Sequence, residues 1–157
     1  MRKQGNRKNR NGQRGGAMVE FALVLPLLFL MCMGGTDFGR LFYHAVTVAN
    51  AAAVGTFYGG QSRIAAANHA QQTQKAIDEA VNIDGVTASA SSFCECPGNP
   101  PVAISCLQAA NYSACQGYGL PRVYVRVNAQ KTFQTIGAYP GIPSSTAVRR
   151  DAFIRIQ

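Results

Sequence analysis

From Ala17 to Gly35 the chain is apolar except for Glu20 and glycines. These 19 residues form about 28 Å of helix at 1.5 Å per residue, close to the hydrocarbon thickness of a bilayer. The run predicts a transmembrane helix over residues 16–36. Beyond it, Phe38, Leu41, Phe42, Ala45, Val48, Ala49, Ala52, Ala53 and Phe57 recur every three or four positions, which predicts that an amphipathic helix continues outward from the span. Gly59-Gly60 breaks this pattern and Ser62 suits an N-cap, so Arg63 to Val81 reads as a second helix or a resumption after a kink. Residues 37–82 are thus expected to form a helical stalk.

From Asp84 onward the period is no longer helical. Val86 to Phe93 is rich in Val, Thr, Ser and Ala and predicts an edge strand, followed by a Cys- and Pro-containing loop to about Tyr118. Arg122 to Thr132 alternates, with Val123, Val125 and Val127 on one face and Tyr124 and Arg126 on the other, the pattern of a half-buried strand. Gly137, Pro140-Gly141 and Pro143 mark a turn region. Thr146 to Ile156 alternates again, with Val148, Ala152, Ile154 and Ile156 inward and Arg150 interrupting that face. The last two strands should pair as an antiparallel hairpin with a long connection. The expected class is α+β: a long N-terminal helix, first transmembrane and then amphipathic, packed on a small antiparallel sheet in a β-rich ectodomain over residues 83–157.

Charge sharpens this picture. The formal net charge is +8, but Arg2, Lys3, Arg7, Lys8, Arg10 and Arg14 are crowded into a leader, residues 1–15, that has no acidic residue. The remaining nine basic residues nearly balance the seven acidic ones, which argues against nucleic acid as a partner. A basic cluster before an apolar run instead places the N-terminus in the cytoplasm and the C-terminal domain outside. A cleaved secretory signal would share these features, but the amphipathic pattern that continues past Met33-Gly34-Gly35-Thr36 argues against a cut there.

Four of the five cysteines, Cys94, Cys96, Cys106 and Cys115, fall in one short interval beyond the predicted span. An even cluster in an extracytoplasmic domain predicts two disulfides. A four-thiolate zinc site usually draws its ligands from two Cys-x-x-Cys pairs; here the one close pair is Cys-x-Cys, and no metal is expected. Bridging Cys94 to Cys96 would strain disulfide geometry. Two connectivities remain open: Cys94 with Cys106 and Cys96 with Cys115, or Cys94 with Cys115 and Cys96 with Cys106. Cys32, inside the apolar helix, is expected to stay reduced.

Glu20 carries the functional argument, because a carboxylate four residues into an apolar span costs a few kcal/mol unless it finds a partner. Its surroundings, Gly15-Gly16-Ala17-Met18-Val19-Glu20-Phe21, set a small residue at a potential cut site and a glutamate as fifth residue of the chain that a cut after Gly15 would leave. Cleavage there creates an α-amino group, largely cationic at pH 7, that Glu20 can pair with in its own chain or a neighbour. A cut after Gly16 would make Glu20 the fourth residue instead.

These motifs resemble the TadE-like pseudopilins of the tight-adherence (Flp, type IVc) pilus system. Gly15 with Glu20 and Phe21 resembles a prepilin peptidase site, Val19 to Leu28 the family's anchor, and Phe38-Gly39-Arg40 with Asn50-Ala51-Ala52-Ala53 its juxtamembrane helix. The strand from Thr146 to Ile156 is similar in type. The resemblance implies a minor pseudopilin in the bacterial inner membrane, trimmed by prepilin peptidase and assembled with other pilins or pseudopilins into an adhesive pilus or at its tip. Pro26 and the Gly35–Gly39 pair, a Gly-x-x-x-Gly spacing that permits close helix approach, are its candidate packing residues.

An enzymatic role finds little footing. His44, a helix-surface or partner-facing position, and His69, expected to be exposed, lie far in sequence from the cysteines. Asp78 and Glu79 are adjacent and would point about 100° apart on a helix. No phosphate loop or metal-ligand spacing is present, and no cofactor is expected. The alternative is an uncleaved, signal-anchored ectodomain that binds a ligand or surface.

Overall fold

A computed structural model describes residues 14–107, 109, 115, 117, 119–139 and 141–156. Most of the basic leader, residues 1–13, and Pro140 lie outside the described residues. The chain divides into two compact units, residues 1–39 and 40–157. Helix α1, Arg14–Gly60, supplies every described residue of the first unit and opens the second.

From Ala17 to Gly35, α1 is apolar on all sides apart from Glu20. Met18, Phe21, Leu23, Leu25, Leu27 and Phe29 are all at least half exposed, so none of the described residues covers them. Such a helix satisfies its backbone internally and leaves only side chains to its surroundings, which is the requirement for a segment in lipid. Thr36 follows the same rule, its hydroxyl donating to the carbonyl of Cys32 at 2.9 Å.

The second unit packs helices against one face of a sheet. After α1 come α2, Arg63–Ala67, and α3, His69–Glu79; the strands are β1, Thr87–Cys96, β2, Val102–Ile104, β3, Arg122–Gln134, and β4, Ser145–Arg155. The sheet order is β2-β1-β3-β4, with all neighbours antiparallel. Ser62 caps α2, its hydroxyl accepting from the Ala65 N–H at 3.1 Å. The predicted helix from Arg63 to Val81 is in fact two, because Asn68 leaves helical geometry at φ −92° and ψ 72° and its side chain accepts from the Gln71 N–H to start α3. Gln72 secures this break. Fully buried, its Nε2 donates to the carbonyls of Ala65 at 2.7 Å and Ala66 at 3.0 Å, the acceptors that a helix end leaves open.

The alternation of β3 holds: Val125, Val127, Ala129 and Phe133 are buried against the helices. β4 pairs with β3 from Gln134↔Ser145 to Tyr124↔Arg155, the predicted hairpin. Its connection turns through Gly141 at φ +79°, a left-handed conformation that favours glycine. The first strand departs from expectation at one end. Thr87–Phe93 pairs with β3 alone, whereas Cys94–Cys96 lies between β3 and β2, a three-residue strand inside the segment expected to be loop. The core joins Val48, Ala51 and Ala52 of α1 to Ala129, Phe133 and Val148 of the sheet, with Ala66, Ala76, Val125 and Val127 as a second cluster.

Candidate functional site

Gly15 and Gly16 occupy the first turn of α1, and a Cβ built on either meets nothing within 4 Å. Glu20 follows one turn later, exposed like Phe21. Four residues separate Gly16 from Glu20, so in this helix they share a face. Pro26 is internal to α1; it has no N–H to offer the carbonyl of Ala22, four residues earlier. Gly35 and Gly39 also have nothing within 4 Å of a built Cβ, so any close approach there comes from outside the chain. Cys32 is unpaired and exposed on the same helix.

A second pair of glycines with the same spacing behaves oppositely. Gly55 and Gly59 are buried, and a Cβ on Gly55 would lie 2.7 Å from the backbone oxygen of Gln72 and 3.2 Å from Val127. One on Gly59 would lie 2.8 Å from Val125 and 3.0 Å from the Gln72 side chain. These glycines let α1 sit directly on β3 and α3. Gly-x-x-x-Gly is legible at 55–59 as readily as at 35–39, and it is the signal by which this contact could have been found.

Both disulfides form, in the first of the two open connectivities. Cys94 pairs with Cys106 across a Cα separation of 5.1 Å and Cys96 with Cys115 across 5.3 Å. They staple the end of β1 to the loop that carries β2. Among the described residues no group of three or more His, Cys, Asp or Glu side chains could hold a metal ion.

His69 is half-buried rather than exposed, its Nε2 lying 2.9 Å from the Ser92 hydroxyl: the break at Asn68 turns the start of α3 toward β1. On the sheet face away from the helices, Phe93 and Tyr124 stack at 4.9 Å, and Phe153 meets both edge-on. Arg126 lies over the Phe93 ring at 4.9 Å. Sequence reading placed Tyr124 and Arg126 on this face but did not gather the three rings, because their neighbourhood depends on cross-strand register.

An exposed apolar helix long enough to cross a bilayer, followed by a disulfide-stapled α+β unit, has the organisation of a single-pass membrane-anchored protein. Residues 15–56 match the family model for TadE-like protein, so this segment of the chain is similar to the TadE-like family. No curated protein and no solved structure matches the chain.

Proposed function

We propose that this chain is a minor pseudopilin of a Tad-type pilus, processed by prepilin peptidase and acting in assembly or tip initiation for surface adherence. The observation that carries this reading is the arrangement of Gly15, Gly16 and Glu20 at the head of an exposed apolar helix, inside the segment that matches the TadE-like family. Removal of the basic leader after Gly15 gives Gly16 the new α-amino group. That amine and the Glu20 carboxylate then stand at positions i and i+4 of the helix, an ion pair in a medium that penalises either charge alone. In a bundle of such helices the pair can instead form between subunits and set their register.

In this reading residues 1–15 are the leader, residues 16–36 the span, 37–82 the stalk and 83–157 the ectodomain. The N-terminus is cytoplasmic, and the domain stands outside the inner membrane, where the two disulfides are stable. The partners are the membrane, the peptidase and other pilins or pseudopilins. Mass spectrometry of the protein from cells with and without prepilin peptidase tests the reading. The expected result is a chain beginning at Gly16 in the first and at Met1 in the second. A single full-length species in both would instead favour an uncleaved signal anchor. Glu20→Ala should leave export intact and lower pilus number, and normal piliation in that variant would refute the pairing.

A further inference from the structure

The connection between β3 and β4, residues 135–144, turns apolar side chains to its surroundings. Ile136 is 61% exposed and Ile142 58%, and Ala138 and Pro143 are exposed as well. Residues 132–148 contain no charged side chain, so taking this tip out of water desolvates no ion. The result is an apolar tip that none of the described residues covers.

The tip also keeps backbone groups occupied internally. The Thr135 N–H donates to the Ser144 carbonyl at 3.0 Å, and the Ile142 N–H to the Tyr139 carbonyl at 3.2 Å. The second bond closes a turn through Gly141 at φ +79°. The Thr135 hydroxyl donates to the Gly137 carbonyl at 2.8 Å, and Pro140 and Pro143 have no N–H to satisfy. A loop that enters an apolar medium needs this internal pairing, because the medium offers no replacement for water.

The fold fixes which end of the second unit carries this tip. Gly59 packs on Val125, Gly55 on Val127, and Arg40 and His44 on Phe133, so α1 and β3 run antiparallel. The last of these contacts is close: burial, then Lys131, then Arg40 hold the His44 imidazole below its ordinary pKa. β3 continues past Phe133 to Gln134, and the tip follows. It therefore lies at the Arg40 end of the unit, whereas α2 begins after Gly60, about 30 Å further along α1. Arg40 is five residues beyond Gly35, where the apolar run ends, at most about 18 Å of extended chain. The covalent tether thus keeps the Arg40 end of the unit near any bilayer that the run spans.

We propose that the β3–β4 tip is a second membrane contact, with Ile136 and Ile142 seated in the interfacial layer of the bilayer that α1 spans. The inference rests on the span and not on removal of the leader. Uncharged aliphatic side chains suit the boundary between headgroups and acyl chains, and a tyrosine such as Tyr139 is a residue that collects there. The attraction is for the interface rather than for a lipid charge, so zwitterionic phosphatidylcholine is a sufficient partner.

The test places the full chain in phosphatidylcholine nanodiscs that contain nitroxide-labelled lipid and follows isoleucine and leucine methyl signals by NMR. A nitroxide at headgroup level should broaden Ile136 and Ile142. It should spare Ile64, which is more exposed at 84% but belongs to α2. Leu27, in the apolar run, should broaden with a nitroxide deep in the acyl chains, so failure of the span and failure of the tip give different spectra. Ile142→Asp changes an exposed position, leaves the fold intact and should abolish the broadening of Ile136. Sharp Ile136 and Ile142 signals, equal broadening of Ile64, or unchanged broadening of Ile136 in folded Ile142→Asp overturns the proposal. So does broadening that requires a nitroxide on a second copy of the chain instead of on lipid, the outcome expected of self-association.

Discussion

Helix α1 contains two glycine pairs of identical spacing in different surroundings. Gly35 and Gly39 face open space; Gly55 and Gly59 press against Gln72, Val125 and Val127. The residues around each pair explain the contrast. From Ala17 to Gly35 the helix is apolar on every side apart from Glu20, and its large side chains are exposed. After Arg40, Val48, Ala51, Ala52 and Thr56 form a buried stripe between exposed Phe42, Tyr43, Val46 and Phe57, and the sheet packs on that stripe. The spacing permits close approach, and the composition of the flanking turns decides whether the partner is the same molecule.

The contrast breaks most sharply at Gly55. Gly55→Leu forces a side chain into backbone, which costs about 3–4 kcal/mol and should lower the thermal midpoint of the domain by many degrees. Gly35→Leu should leave that midpoint unchanged and reduce pilus assembly. Equal thermal losses in both variants would erase the distinction. Next in size is the Cys94–Cys106 bridge. Replacing both residues by Ser removes a loop constraint worth about 3 kcal/mol, measurable by urea unfolding, and the apolar helix should be unaffected.

A smaller effect is expected at Gln72. Gln72→Leu leaves the Ala66 carbonyl without its side-chain donor and the Ala65 carbonyl with only the Asn68 N–H, about 2 kcal/mol, and hydrogen exchange should show α2 opening ahead of the sheet. The smallest is a pH slope. Because the folded state holds His44 below the ordinary value of 6.5, the unfolded chain binds more protons as pH falls below that value. Stability is therefore full above about 6.5 and declines as pH drops toward the folded pKa. His44→Gln should flatten this decline in denaturant midpoints measured from pH 7.5 to 5.

Much of this architecture is legible in the sequence, wherever a single element carries its own pattern. The apolar run from Ala17, the alternation from Val123 to Val127 and the β3–β4 hairpin need only local periodicity. The misses all depend on something distant. Asn68 breaks a helix because Gln72 reaches back to close its end, and nothing in the polar character of Gln72 announces full burial. β2 exists because its loop folds back on Cys94–Cys96, a register that three residues cannot encode. The choice between two disulfide connectivities follows from that same return.

The Thr56 hydroxyl donates to the carbonyl of Ala52 at 2.8 Å and lies 3.1 Å from that of Ala152, which ties the helix that opens the second unit to the strand that ends it. During synthesis these two residues are separated by 96 positions, about 5–20 s of translation. Until the end of that interval the stripe of Val48, Ala51 and Ala52 lacks the Val148 side of its core, which β4 supplies. The core therefore closes only once β4 is made.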